Sequence, residues 1–514
     1  MEHQLITFLS FLLYSLSFIL FLFQILKVGK RSKVKTMNLP PGPWKLPIIG
    51  SIHHMIGFLP HHRLRELALK HGPLMHLKLG EVPAIVVSSP EVAKEVMKTY
   101  DSIFAQRPHQ VGADIMCYGS TDIATAPLGG YWKQLRRICS QELLSNKRVR
   151  SYQSIREEEV LNLMRLVDAN TRSCVNLKDF ISLVKKLLKL VERLFVFDIF
   201  PSHKWLHVIS GEISKLEELQ REYDMIIGNI IRKAEKKTGE VEVDSLLSVL
   251  LNIKNHDVLE YPLTIDNIKA VMLVSMDDFY CILGFKAKPS FHVYIKLNKQ
   301  KHRTWNNMFG AGTDTSSAVI EWTMSEMLKN PRVMTKAQEE VRRVFGSKGY
   351  TNEAALEDLK FLKAVIKETL RLHPPFPLLL PRECRETCEV KGYTIPAGTK
   401  VIVNAWAIAR DPKYWSEAEK FYPERFMDSP IDYKGSNHEL IPFGAGRRIC
   451  PGISFGVSSV ELCLAQLLYY FNWELPNGNK ENDLEMTEAL GASSRRKTDL
   501  TLKVLVTVKA VNLC

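Results

Sequence analysis

Paired cysteine spacing is missing from this chain. Its nine cysteines (117, 139, 174, 281, 384, 388, 450, 463 and 514) include no Cys-x-x-Cys and follow no regular interval. No disulfide framework is therefore expected, and the thiols read as reduced and facing the cytosol. No Gly/Ser-rich linker and no internal repeat divides the 514 residues, although length alone would suit about three domains. Charge is not gathered into blocks either: 69 Lys+Arg against 56 Asp+Glu leave a net +13 spread along the chain. Without a basic cluster or a reading motif, nucleic acid is excluded as a partner. Such a surface suits anionic membrane lipid or an acidic redox partner.

A cleavage site is also missing where one would matter. Leu5 to Leu26 is apolar except for Thr7, Ser10, Ser15, Ser17 and Gln24, long enough to span a bilayer as one helix. No small-residue cleavage site follows it. Lys27, Lys30, Arg31, Lys33 and Lys35 come instead, so the positive flank is expected to stay cytosolic while the N-terminus crosses. Leu39-Pro40-Pro41-Gly42-Pro43 then makes a stiff spacer that no helix can continue through. The expected organisation is a membrane anchor at 1–26, a basic and proline-rich hinge at 27–43, and one domain at 44–514.

Within that domain, Met75, Leu77 and Leu79, then Ile85 and Val87, alternate with other residues around Gly80-Glu81, predicting a short hairpin. Ser89-Pro90-Glu91 combines an N-cap, a proline at the first helical position and an early acid, predicting a helix start. Tyr131 to Leu144, Ile155 to Leu166 and most of the remainder to Arg371 carry apolar residues at helical spacing. Strand-like segments return at Glu389 to Ile395 and after Asp499. The fold class is mainly α with small β-sheets.

One stretch stands apart: Pro442-Phe443-Gly444-Ala445-Gly446-Arg447-Arg448-Ile449-Cys450-Pro451-Gly452, directly before the apolar segment Ile453 to Trp473. A cysteine ahead of a helix start meets the positive end of the dipole and unpaired N–H groups, which favour the thiolate, a good soft metal ligand. Gly444, Gly446 and Gly452 let backbone lie against a large flat ligand. Phe443 offers a face to pack on it, and Arg448 a fork of donors for a carboxylate. A dinucleotide loop is excluded, because Ile449 stands where its third glycine belongs.

The stretch resembles the haem-thiolate loop of the cytochrome P-450 superfamily, and with the proline hinge and Ala311 to Ser317 it is most similar to plant microsomal members. The resemblance runs from Leu39 to nearly the end of the chain. It implies the cytochrome P-450 fold, haem b as cofactor, and Cys450 as the iron ligand that pushes electron density toward O–O cleavage. Three further constellations fit it. Glu368 and Arg371 share one face of a helix that His373-Pro374-Pro375 ends. They resemble the family's Glu-x-x-Arg, and with Arg425 of Pro423 to Phe426 the resemblance implies a buried structural charge cluster. In Ala311-Gly312-Thr313-Asp314-Thr315-Ser316, opening a helix to about Lys329, the Thr315 hydroxyl can bond the Ala311 carbonyl and loosen the ladder. By resemblance Asp314 and Thr315 are the catalytic pair that delivers protons. Trp132 and Arg136 lie one turn apart, and the resemblance groups them with Arg382, Phe443, Gly446 and Arg448 as cofactor-binding residues.

Two places depart from the family pattern. Asp266 to Val271 and Met308 to Gly312 look like two halves of one helix, yet Met272 to Asn307 intervenes, about thirty extra residues including Gly284 and Pro289. Near Phe180-Ile181-Ser182 about thirty family residues are absent. The expected insertion is 272–307, looped out while the helix restarts near Met308, and the expected deletion is near 181.

The resemblance thus implies a monooxygenase inserting one oxygen atom from O2 into a lipophilic terpenoid, alkaloid or phenolic. Electrons come from NADPH via NADPH-cytochrome P-450 reductase, at the endoplasmic reticulum membrane, single-pass, with the catalytic domain cytosolic. Arg107 to Leu128, Phe376 to Leu380 and Leu490 to Ser493 are expected to line the pocket. The rival readings are an inactive or haem-free product of an aberrant transcript and a reductase-independent haem-thiolate isomerase or dehydratase.

Overall fold

The computed structural model describes residue 15 and residues 37–169, 175–176, 198–203, 211–236, 246–256, 259–275, 311–348 and 353–507. All of the expected anchor except Ser15, the hinge before Met37, the deletion point near 181 and most of the expected insertion lie outside the described residues.

Helix α1 (Pro60–His71) starts with proline at its first position and stops at Gly72, whose φ of 104° lets its N–H return to the Ala68 carbonyl at 2.8 Å. It leads into strands β1 (Leu74–Leu79) and β2 (Val82–Val87), an antiparallel hairpin running from Leu74↔Val87 to Leu79↔Val82. The remaining strands are β3 (Val175–Asn176), β4 (Arg382–Glu383), β5 (Cys388–Val390), β6 (Tyr393–Ile395), β7 (Lys400–Val403), β8 (Phe471–Glu474) and β9 (Thr501–Val506). They form a four-stranded sheet of order β1-β2-β7-β4, a three-stranded sheet β3-β9-β8 and the hairpin β5-β6.

The expected half-buried alternation in β1 is replaced by an unbroken buried run from Leu74 to Leu77. The reason is that both sheet faces are covered. Met75, Leu77, Ala84 and Val86 pack with Leu64 and Leu67 of α1, whereas Leu74, Ile85 and Val87 pack with Val92, Val96, Ile441 and Ala445. The second face therefore sets the sheet against the glycine-rich loop before Cys450. Ser89 caps the short helix Pro90–Lys94 by accepting from the Val92 N–H at 3.4 Å.

The other principal helices are α2 (Gly130–Ile138), α3 (Gln153–Ala169), α4 (Glu212–Lys236), α5 (Leu246–His256), α6 (Ile265–Ser275), α7 (Ala311–Lys329), α8 (Pro331–Lys348), α9 (Lys360–Leu372) and α10 (Ile453–Tyr470). α2 runs on into a wider, π-helical turn at Cys139–Leu143. α6 and α7 are the two pieces expected on either side of the insertion, and they pack on each other. α6 reaches Ser275, so Met272, buried at 1% exposure, belongs to the helix and not to an extruded loop.

The main core joins α7, α8, α9 and α10 through Val319, Met324, Val341, Leu362, Val365, Leu464 and Leu468. Each fully buried leucine contributes about 1.5–3 kcal/mol. Among the described residues α10 alone is long and apolar enough to cross a membrane, but 61% of it is buried inside the protein. Its apolarity is that of a central core helix.

Candidate active site

Cys450 stands three residues before α10, in a loop closed by its own N–H donating to the Phe443 carbonyl at 3.0 Å. Gly444 and Gly446 have φ of 72° and 69°, a region that side chains disfavour. A Cβ at Gly446 would also run into the Met97 carbonyl oxygen, so the loop is seated directly on the turn Glu95–Thr99. Asp101 locks it there: its carboxylate accepts from the Arg447 N–H at 2.9 Å, from Arg447 Nη1 at 3.1 Å and from Arg382 Nη1 at 2.9 Å. Arg382, on β4, also donates to the Ala445 carbonyl at 2.7 Å. Phe443 meets Tyr433 edge-on, with ring centroids 5.4 Å apart.

Behind the loop lie four guanidinium groups, of Arg107, Arg136, Arg382 and Arg448. Arg448 donates to the carbonyls of Ala105 at 2.8 Å and Ala126 at 2.6 Å, and its cation lies 4.1 Å from the Trp132 ring. Arg107 donates to the carbonyls of Ala124, Leu380 and Pro381 at 2.7–2.9 Å. Among the described residues neither makes an ion pair. Burial, and then the Arg382 cation beside it, pull Arg448 down to about 9. Burial, then Arg448 and Arg382, pull Arg107 well below its ordinary value. Asp101 is shared between Arg382 and Arg447, and Asp122 is occupied by the N–H groups of Ala124 and Thr125. Such a surplus of buried positive charge calls for anionic groups.

The sequence reading placed Trp132 and Arg136 at such anions. In the structure the Trp132 indole donates to the Ile123 carbonyl at 3.0 Å, and Arg136 to the Ile449 carbonyl at 2.6 Å, beside Cys450. Burial lowers Arg136, while Cys450 acts in the opposite direction. Arg107 was expected from sequence only as the first residue of a pocket-lining region, not as one of these cations. The available signal was a cation set between Phe104-Ala105 and Pro108 in an otherwise uncharged stretch.

α7 crosses α10 close to this loop: a Cβ at Gly456 would lie 3.8 Å from Ser316 Oγ. Thr315 is half-buried in the first turns of α7, and its described hydroxyl contact is to the Gly312 carbonyl at 3.3 Å, three residues back. Asp314 precedes it in the same turn. Farther off, Glu368 receives Arg371 through two bonds of 2.8 Å and Arg425 through one of 3.1 Å, so the three expected members of the charge cluster meet.

The cytochrome P-450 family model matches residues 40–184 and 297–502. This chain belongs to the cytochrome P-450 family. Premnaspirodiene oxygenase of Hyoscyamus muticus is 46% identical over 515 residues, covering 94% of this chain and 96% of that one. Desmethyl-deoxy-podophyllotoxin synthase of Sinopodophyllum hexandrum is 47% identical over 525 residues, covering 96% and 97%. Germacrene A hydroxylase of Barnadesia spinosa is 46% identical over 513 residues, covering 95% and 96%. In the fold, the chain is similar to a zebra fish cytochrome P-450 structure with abiraterone, at a TM-score of 0.67 and 24% identity over 87% of this chain and 99% of that one. The family match breaks between 184 and 297, an interval that begins just after the expected deletion near 181 and holds most of the expected insertion at 272–307.

As a cytochrome P-450 the protein is a monooxygenase with a haem cofactor, a redox partner relaying electrons from NADPH, and a lipophilic substrate. The residues present fit that cofactor. The cysteine follows a loop in which Gly446 has no room for a Cβ, and among the described residues the buried Arg107 and Arg448 near it make no ion pair.

Proposed function

We propose that this cytochrome P-450 hydroxylates a sesquiterpene-sized hydrocarbon at the endoplasmic reticulum membrane, with NADPH-cytochrome P-450 reductase as its electron donor. The observation that carries the site assignment is the Cys450 loop backed by buried Arg107 and Arg448, which make no ion pair among the described residues. When bound, haem supplies an iron centre that activates dioxygen using two electrons. Cys450 Sγ would hold the iron. Arg107, Arg136, Arg382 and Arg448 would hold the cofactor's two carboxylates, which would give Arg107 and Arg448 ion-pair partners, with Trp132 and Phe443 packed around it. Thr315 Oγ1 and Asp314 would hold and pass the protons that oxygen cleavage consumes. Leu378, Leu379 and Leu380 would supply an apolar wall, and two relatives are named premnaspirodiene oxygenase and germacrene A hydroxylase. Residues 1–26 would span the membrane and 27–43 form the hinge. Exposed Trp44, Ile48, Ile56 and Phe58, beyond the hinge, suit contact with lipid.

Membranes carrying the full chain, reduced and treated with carbon monoxide, should show the red-shifted band of a thiolate-held haem. With reductase and NADPH they should oxidise germacrene A or premnaspirodiene. Absence of the band, with protein present on a blot, would establish the haem-free product instead. Turnover of a lipid hydroperoxide without NADPH would favour the isomerase reading. We also propose that the segment from 276 to 307 is an insertion outside the catalytic fold. Dilute protease should cleave there and leave the band intact; loss of the band with that cut would refute the assignment.

Thr315→Val tests the proton relay. Product formation should fall about 10²-fold while the carbon monoxide band and NADPH consumption persist. Unchanged product per NADPH would remove Thr315 from the mechanism.

A further inference from the structure

The hairpin from Thr487 to Lys497 is irregular and thinly bonded, yet it reaches the helix that carries Thr315. Its rungs are the Glu488↔Arg496 bridge, Ala489 N–H to the Arg495 carbonyl at 2.7 Å and Lys497 N–H to the Thr487 carbonyl at 2.9 Å. At the tip, Ser494 donates to the Pro375 carbonyl at 2.8 Å and accepts from the Trp322 indole at 3.1 Å. Trp322 and Thr315 are seven residues apart on α7, two turns, and so share a face about 10 Å apart along the axis. Leu490 at the tip is 73% exposed and Leu380 beyond Pro375 is 41% exposed, two apolar side chains not absorbed by the core.

The base of this hairpin is held by buried Arg496, 4.0 Å from Glu321 of α7 and with its cation 5.7 Å from the Trp322 ring, and by one carboxylate among three histidines. Glu488, with 6% of its side chain exposed, accepts from His61 Nε2 of α1 at 2.7 Å across 427 positions of sequence. His62 Nε2 lies 3.9 Å from the same oxygen, and His373 Nδ1, beyond the end of α9, lies 3.9 Å from the other. His373 in turn reaches Glu326 of α7 through Nε2 at 2.7 Å and stacks on Trp322 with centroids 3.9 Å apart. His62 Nε2 and His373 Nδ1 are buried and have no hydrogen-bond partner of their own. Burial raises the Glu488 carboxyl, but His61, His373 and His62 together hold it below the usual range, as an anion.

We propose that Glu488 is a positioning residue: by tying the hairpin to His61 of α1 and to the His373–Trp322 pair on α7, it sets where Leu490 stands relative to Thr315, and hence which carbon of the substrate is presented for oxidation. Its consequence for product rests on the monooxygenase reading above; the tie itself does not. Without the carboxylate, His61 Nε2 loses its buried acceptor, and the hairpin keeps its tip contacts and those of Arg496 to α7. A displacement of about 1 Å at such a wall is enough to alter rate or orientation by about 10²-fold.

The test uses the full-length protein with Glu488→Ala, Glu488→Gln, His61→Phe and the double variant Glu488→Ala/His61→Phe. Amide hydrogen exchange across 486–497 should quicken about tenfold or more in Glu488→Ala and His61→Phe. The β8–β9 ladder should stay at wild-type protection, Glu488→Gln should recover part of the loss, and the double variant should add nothing. With germacrene A the ratio of oxidation products should shift in the same variants while the carbon monoxide band keeps its height. Wild-type exchange and product ratio in Glu488→Ala would overturn the proposal, and so would a rise in exchange spread evenly over the whole protein. Should Glu488→Ala fail to fold, His61→Phe, which keeps the ring and deletes only the donor, decides by the same readouts. A wild-type chain without turnover would refute the monooxygenase reading, and the exchange data would still decide the tie.

Discussion

Cys450→Ser should remove the thiolate-type carbon monoxide band and bring oxidation to background, a loss of at least about 10³-fold, while the protein still reaches the membrane. The reasoning rests on comparison among the cysteines. Of the six described, Cys117, Cys139, Cys384, Cys388 and Cys463 all have thiols raised by burial, with Cys139, Cys384 and Cys463 pushed up to about 12. Those five stay protonated and are poor ligands at neutral pH. Cys450 is the one at the start of a long helix, in a loop of left-handed glycines. The control is Cys463→Ser on α10, which should keep the band. A thiolate-type band surviving in Cys450→Ser would refute the ligand assignment.

Arg371→Leu should be the most damaging change away from the cysteine loop. Arg371 and Glu368 are both fully buried. Arg371 uses its Nε and Nη2 on Glu368 and its Nη1 on the carbonyls of Ala409 at 2.8 Å and Ala418 at 2.7 Å. Glu368 also accepts from the Tyr422 N–H at 2.8 Å and from Arg425 at 3.1 Å. Removing Arg371 takes the principal partner from a buried carboxylate and orphans two carbonyls, costing about 3–5 kcal/mol. Against a typical total of about 5–15 kcal/mol, little folded protein should remain at physiological temperature. Thermal melting and the yield of haem-bound protein measure it. Arg425→Ala should cost less, about 1–3 kcal/mol, because it contributes a single bond to Glu368. Equal melting temperatures for Arg371→Leu and wild type would show that the cluster is not a structural pin.

Several of these relations could be read in advance, for physical reasons that differ from residue to residue. Gly444, Gly446 and Cys450 were legible because a turn needing positive φ beside a helix start restricts residue type strongly. The hairpin β1-β2 was legible from alternation, but not the burial of both its faces, which depends on α1 and the Cys450 loop arriving from distant parts of the chain. Arg107 was read only as the edge of a pocket-lining region, because a lone arginine has no local pattern. Its significance arises only when Arg382 and Arg448, hundreds of residues later, are folded in beside it. Glu488 was invisible for the same reason, its partner being at position 61.

Taken alone, the amino-acid order determined the helical class, the hairpin, the capped helix after Ser89, the cysteine loop and its kinship with a haem-thiolate family. Each depends on backbone geometry and side-chain spacing within one or two turns. Only the tertiary structure decided which charges are paired, which arginines make no ion pair among the described residues, and that Asp101 and Glu488 fasten elements far apart in sequence. Coulomb energy and desolvation depend on distance and burial in space, and neither is written in the order of residues.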